Sequence, residues 1–403
     1  MNEVSRDFPL HADEVTNEFL SKCLHGKVLS FELDTSMTAG GVLADAFRVF
    51  NITYDEINDL PKSCFLKCTK EIPEVVELCL ATQVYAKEVY FYSTLIKKVK
   101  DVIRVPECYG IFKDPMDEDC KEFCLVLEDF DSDNWMPFDQ FENPMNFEDT
   151  AMLMEDLGSF HAMCWGEPVT NEPGLGPYKA HWQSLNDSFW EEEGTAWDQV
   201  LPKWEDVYDE ELLSLVDSEV KETILKINDI YISENGKIIQ ENLIDELQKR
   251  PRTITHGDAR GNNIFKSKDG KSIGIIDWQM WAAGPASNEF SQLWFNSYSL
   301  ESGMIHRLED LTSIYYKSLT KNNPSINDDY PFDRLMEDTK LIFVNMWIQY
   351  VGFTLGSIDG YKDPGQEKSK SNWREMMKRN METVHYSGCL EAFERFISEK
   401  NLD

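Results

Sequence analysis

His256-Gly-Asp-Ala-Arg-Gly-Asn-Asn-Ile-Phe-Lys266, followed after a short gap by Ile273-Gly-Ile-Ile-Asp277-Trp-Gln279, decides the fold. Lys268-Asp269-Gly270 stands between apolar runs at 263–265 and 273–276, a turn signal that predicts a β-hairpin. A loop entering such a hairpin keeps Asp258 and Asn263 near each other, and the return strand is expected to bring Asp277 back beside Asn263. Carboxylate and amide oxygens suit Mg²⁺, which keeps several waters and completes its shell with substrate phosphates. Phosphoryl transfer uses this set: one Asp orients the acceptor hydroxyl and takes its proton, while an Asn and a second Asp hold the metal.

Upstream of the hairpin the pattern changes twice. Residues 28–33, 46–54, 64–68, 103–112 and 123–127 are short, rich in β-branched and aromatic side chains, and predict strands. Between them, 73–99 carries Val76, Leu80, Val84, Tyr85, Glu88, Val89 and Tyr92 at helical spacing. After Phe130, helical periodicity covers 148–165, 205–230, 236–250, 287–320, 332–357 and 371–399. The hairpin is the one clear β signal in that half. The reading is an α+β chain: a small β-rich N-lobe over 1–128 and a larger helical C-lobe over 129–403.

The H-x-D-x-x-x-x-N spacing with a downstream Asp resembles the protein-kinase-like fold. HGD where protein kinases have HRD, and IDW where they have DFG, resembles its small-molecule branch: aminoglycoside phosphotransferases, choline kinases and ecdysteroid-kinase-like proteins. That resemblance implies a bilobal fold, ATP and Mg²⁺ as cofactors, Asp258 as catalytic base, and Asn263 and Asp277 as metal ligands. It also asks for a strand lysine held by a helix glutamate. Lys67, inside the apolar stretch CFLKC, and Glu88, in the helix that follows, take those places. Residues 123–130 resemble the last N-lobe strand and hinge, which puts nucleotide contact at Glu128, Asp129 and Phe130, through backbone groups.

Other parts admit two readings. Gly40 and Gly41 either let backbone amides approach phosphate or make an ordinary turn. Arg260 either neutralises the moving phosphoryl group or makes a salt bridge that shapes the loop. His161 and His256 read as packed structural residues, because the argued base is a carboxylate. Glu289-Phe290 stands where the family commonly has Asp-Leu; the charge is kept, its reach is altered, and a role in bracing the catalytic loop stays open.

Composition narrows the partners. With 73 acidic and 39 basic residues the net charge is −34, which repels phosphate backbones and anionic headgroups and argues against nucleic-acid or membrane-surface binding. No apolar run is long enough to span a bilayer, and the first residues lack the basic and apolar regions of a secretory signal. Nine cysteines without a framework spacing fit a reducing compartment, so a cytoplasmic protein is expected. No P-loop or H-E-x-x-H motif is present. The expected partner is a small-molecule hydroxyl acceptor bound by an insertion over about 131–250. There Trp135, Trp165, Trp182, Trp190, Trp197 and Trp204 lie among carboxylates, either caging a cation or filling core. A protein-directed kinase and a catalytically idle nucleotide-binding scaffold are the alternatives. Against the first, no A-P-E segment follows Asp277.

Overall fold

The computed structural model describes residues 6–36, 43–56, 59–113, 120–131, 133–166, 210–362 and 367–402. The chain divides into two compact units, residues 1–136 with 265–280, and residues 137–264 with 281–403. The first is β-rich and the second helical, so the α+β class expected from the sequence holds.

The first unit opens with a helix that hydrophobic spacing alone did not announce, α1 (Asn17–Leu24). Thr16 caps it by accepting a hydrogen bond from the Phe19 N–H, and Phe19, Leu20, Cys23 and Leu24 point into the core. Five antiparallel strands follow: β1 (Val28–Asp34), β2 (Ala44–Tyr54), β3 (Cys64–Thr69), β4 (Cys108–Lys113) and β5 (Phe123–Glu128), in the order β1-β2-β3-β5-β4. β3 lies at the centre, with Lys67 opposite Ala46 on one side and Leu125 on the other. Its neighbours Leu66 and Cys68 are fully buried, so the lysine stem is held on both sides by packed strand.

The single helix expected over 73–99 is broken. α2 (Pro73–Ala81) ends at Thr82, Gln83 takes a left-handed φ of 58°, and α3 (Val84–Tyr90) starts anew. The break re-phases the chain so that all six residues from Val84 to Val89, Glu88 included, are buried. A π-helical turn (Phe91–Leu95) leads into α4 (Ile96–Val99). The unit is completed by β6 (Trp135–Pro137), β8 (Ile264–Ser267) and β9 (Ile273–Ile275), a three-stranded sheet in the order β6-β8-β9 that contains the expected hairpin.

In the second unit α5 (Phe147–Met163) is capped by Asn146 and followed, within the described residues, by a single helical turn (Glu210–Leu213), α6 (Ser218–Ile232) and α7 (Gly236–Gln248). β7 (Arg252–Thr255) pairs antiparallel with β10 (Ala282–Pro285), a ribbon the sequence reading did not anticipate. The stretch 287–320 is two helices, α8 (Asn288–Asn296) and α9 (Leu308–Asn322), parted by a segment in which Gly303 has φ 65°. α10 (Phe332–Lys362), α11 (Glu367–Tyr386) and α12 (Cys389–Lys400) complete it. Trp281, Trp294, Trp347, Tyr298 and Tyr315 fill its core. Among the described residues no helix is long and apolar enough to cross a membrane.

Candidate active site

Residues far apart in sequence meet at the Lys67 ammonium. Its Nζ lies 2.6 Å from Glu88 Oε2, 2.5 Å from Asp277 Oδ1 and 3.1 Å from Gln279 Oε1. Gln279 in turn donates from Nε2 to Asp277 Oδ2 at 3.2 Å. Asp277 follows β9 with a φ of 66°, a left-handed conformation that costs a non-glycine residue energy. The turn after it is anchored by Trp278, which stacks on Phe91 at 4.0 Å and donates from Nε1 to Ile275 O. The strained backbone and the stacked indole together aim the Asp277 carboxylate at Lys67.

One ammonium among two carboxylates sets the electrostatics. Burial opposes the Lys67 charge, and Asp277 and Glu88 outweigh it, holding the amine protonated well above the ordinary lysine range. Burial pushes Glu88 up to about 7, against the pull of Lys67. Glu88 Oε1 and the Tyr92 hydroxyl, one helical turn later, are buried polar atoms with no hydrogen-bond partner among the described residues.

The side chains at 128–130 are engaged within the same unit. Glu128 pairs with Arg104 at 2.5 Å and accepts from the Glu107 N–H at 3.0 Å. Asp129 pairs with Arg48 at 2.5 Å. Phe130 stacks on Trp135 at 4.3 Å, and the Arg104 guanidinium lies over both rings, 5.0 and 5.5 Å from their centroids. A cation does rest on a tryptophan here, but it is the chain's own arginine. Gly274 faces this cluster, where a Cβ would come within 2.5 Å of the Phe130 ring.

The catalytic-loop residues belong to the second unit. β7 delivers His256, and Gly257 turns the chain with φ 81°, a conformation glycine adopts without strain. His256 Nδ1 accepts from the Asp258 N–H at 3.2 Å, the loop-shaping role expected of it. Asn263 donates from Nδ2 to Asp258 O at 2.9 Å and to Oδ2 at 3.0 Å, which leaves its amide Oδ1 as the remaining acceptor. Arg260 reaches the same carboxylate at 3.2 Å with 42% of its side chain exposed. The salt bridge is therefore present, and the guanidinium keeps a solvent face.

Glu289, on α8, accepts from the His256 N–H at 2.6 Å and the Gly257 N–H at 3.2 Å. His161 Nε2 lies 3.3 Å from the same carboxylate, and its Nδ1 is 2.7 Å from the Tyr315 hydroxyl. Burial alone would raise the Glu289 pKa; His161, His256 and the backbone donor outweigh it, and the carboxyl is held below the ordinary range. The brace left open by the sequence is thus made, by Glu289.

Lys67, Glu88 and Asp277 are brought together in the first unit, and Asp258, Arg260 and Asn263 in the second. Gln279 and Arg104 received no role from sequence reasoning. Gln279 sits within the quoted motif, where its place two residues after Asp277 was the available signal. Gly40, Gly41, Trp182, Trp190, Trp197 and Trp204 lie outside the described residues. Trp165, which is described, packs against Tyr330 at 5.9 Å. Among the described residues no cluster of three or more His, Cys, Asp or Glu could hold a metal by itself. The metal ligands named from the sequence are oxygen donors, the Asn263 amide in the second unit and the Asp277 carboxylate in the first, and oxygen is the donor type that Mg²⁺ takes.

Residues 47–327 match the ecdysteroid kinase-like family. No curated protein matches the chain. Among solved structures, a choline kinase from Cryptosporidium parvum Iowa II is similar at 12% identity, with 97% of this chain and 93% of that one covered and a TM-score of 0.43. An aminoglycoside phosphotransferase from Alicyclobacillus acidocaldarius gives 11% identity, coverage of 98% and 99%, and a TM-score of 0.47. An ethanolamine kinase from Plasmodium vivax gives 14%, 95% and 87%, and 0.41.

Proposed function

The chain belongs to the ecdysteroid kinase-like family, and from that premise we propose that it transfers the γ-phosphoryl group of ATP to a hydroxyl of a small molecule. The observation that carries this reading is the meeting of Lys67 and Glu88, named from the order of motifs, with Asp277, named from the hairpin, at 2.6 and 2.5 Å. In the proposed reaction Lys67, held by Glu88, binds the α/β-phosphates. The acceptor oxygen attacks the γ-phosphorus, the bond from that phosphorus to the bridging oxygen of ADP breaks, and the hydroxyl proton passes to Asp258. Asn263 and Asp277 would hold Mg²⁺, which supplies neutralising charge on the transferred group. Arg260, pinned to Asp258 and partly exposed, adds a second positive charge there. Backbone groups at Glu128, Asp129 and Phe130 take the adenine, and Gly40 and Gly41 cover the phosphates. The net charge of −34 favours a cationic or neutral acceptor over an anionic one.

ATP consumption measured across a library of hydroxyl metabolites that includes ecdysone, choline, ethanolamine and glycerol, beside a panel of protein substrates, tests the reading. Phosphate appearing on at least one alcohol is the expected result. Transfer to protein alone would move the assignment to a protein kinase. Thermal stabilisation by Mg-ATP without transfer to anything would make the chain a nucleotide-binding scaffold.

A further inference from the structure

In the second unit the loop carrying Asp258 rests on the C-terminal end of α8. A Cβ at Gly261 would stand 3.4 Å from Asn296 O and 3.5 Å from Ser297 Cα. The Asn296 amide donates to Gln292 Oε1 at 2.7 Å and, in a short contact, to the Tyr350 hydroxyl of α10. The Tyr350 ring stacks on Phe295 with centroids 5.6 Å apart and planes at 22°. Arg379, fully buried, clamps this end of α8 by donating to Phe295 O and Tyr298 O at 2.6 Å and to Gln140 Oε1 at 2.5 Å.

The pattern of exposure is specific. From 341 to 352 on α10 every side chain is buried except Tyr350, and on α8 every one is buried except Gln292. The two openings are the two ends of the chain Gln292–Asn296–Tyr350. The charges of Asp258, Arg260 and Arg379 all reach the Tyr350 phenol, and burial foremost pushes its pKa up to about 12, so it stays protonated. Because the phenol oxygen accepts from Asn296, its own proton is left to donate, and it finds no acceptor among the described residues.

We propose that Tyr350 is an acceptor-positioning residue, its hydroxyl donating a hydrogen bond to an oxygen of the alcohol other than the one that reacts with Asp258. The inference rests on the phosphotransferase reading and deepens it. A phenol proton has nothing to offer an ammonium group, which is itself a donor only. Tyr350 therefore selects for a second oxygen and is indifferent to an alcohol without one.

The test is Tyr350→Phe, which keeps the ring on Phe295 and removes the donor. Acceptors are ecdysone, glycerol and ethanolamine, with choline as the probe whose single oxygen is the reacting one. For whichever of ecdysone and glycerol the wild type uses better, KM rises by about 10-fold, the worth of one lost hydrogen bond. The KM for Mg-ATP and the KM for choline stay as in the wild type, while the melting temperature falls slightly because the buried Asn296 amide loses its phenol acceptor. An unchanged KM for the oxygen-rich alcohol, or an equal rise for choline, overturns the role of Tyr350 and leaves the phosphotransferase reading intact. Wild-type transfer to library alcohols but to neither ecdysone nor glycerol overturns the second-oxygen selection alone. Wild-type transfer to no alcohol at all overturns both.

Discussion

Glu289 holds the backbone N–H of His256 at 2.6 Å, across a separation in sequence that no local pattern announces. The turn of the loop between His256 and Asn263 is made by Gly257, and within the loop His256 Nδ1 accepts from the Asp258 N–H while Asn263 donates to Asp258. A buried carboxylate accepting two successive N–H groups fixes where Asp258 begins its turn. His161 and Tyr315 extend the same network into the packed face between α5 and α9, where the Gly158 backbone approaches Tyr315 O so closely that a Cβ would lie 2.5 Å from it. Loop geometry is thereby tied to helix packing.

Glu289→Gln keeps one acceptor oxygen and loses the charge facing His161. The two backbone N–H groups of His256 and Gly257 lose a charged acceptor, so unfolding free energy should fall by about 2 kcal/mol. Turnover should fall by about 10-fold with little change in KM for Mg-ATP, because the groups argued to bind nucleotide are untouched. Urea unfolding with steady-state kinetics checks both. Wild-type stability in Glu289→Gln would mean that the network does not depend on the charge.

Asp277 is held by Lys67 and Gln279. If it serves Mg²⁺ on the nucleotide, ATP should raise the melting temperature more with Mg²⁺ than with EDTA, by linkage. Asp277→Ala should abolish most of that difference. Lys67→Met, by contrast, should weaken ATP in both conditions. An ATP shift indifferent to metal and to Asp277 would remove the metal assignment.

What the sequence disclosed and what it withheld follow from the range of the interactions. The hairpin and Asp258 with Asn263 were legible because turn residues and short spacings act within a few residues. Lys67 and Glu88 were legible because the order of motifs stood in for the distance between them. The break at Gln83 was hidden, since nothing in Thr82-Gln83 marks a left-handed residue inside a helical period. β10 was hidden because Ala282-Ala-Gly-Pro285 has poor strand propensity and becomes a strand by pairing with β7. The reach of Glu289, the stacking of Arg104 on Phe130 and Trp135, and the partial burial of Tyr350 are tertiary facts with no periodic signature.

Acid should find a weak point away from the site. Glu246 on α7 meets Lys400 Nζ at 2.6 Å, Arg250 at 3.0 Å and Lys249 at 3.3 Å, and its pKa is lowered to about 2, the Lys400 hydrogen bond leading and burial opposing. A carboxyl depressed on folding stabilises the native state above its unfolded pKa of about 4.5, and that contribution is lost as pH falls toward 2. With Lys400 one-third exposed, solvent screening reduces the effect to roughly 2 kcal/mol at neutral pH. Glu246→Gln should therefore destabilise at pH 7 and converge with the wild type near pH 2, measured by denaturant melts across that range. Parallel stability curves at all pH values would exclude Glu246 as the titrating group.

Asp258→Asn separates chemistry from binding. The amide retains an oxygen that can accept from Asn263 Nδ2, so the loop is expected to keep its turn and Glu289 its grip on His256 and Gly257. What it loses is the capacity to take the acceptor's proton, a contribution worth about 10²- to 10⁴-fold in rate for a positioned general base. It also loses the charge opposite Arg260, which frees that guanidinium and lowers its cost of approach to phosphate. Nucleotide affinity should therefore hold or rise slightly while kcat falls by at least about 100-fold. The Mg²⁺-dependent thermal shift with ATP reports the first quantity and product formation the second. Equal kcat in Asp258→Asn and wild type would remove Asp258 as the base. A lost ATP shift together with a lowered melting temperature would show loop collapse, and Asp258→Glu, which keeps a carboxylate on a longer stem, then decides whether partial turnover returns with the base.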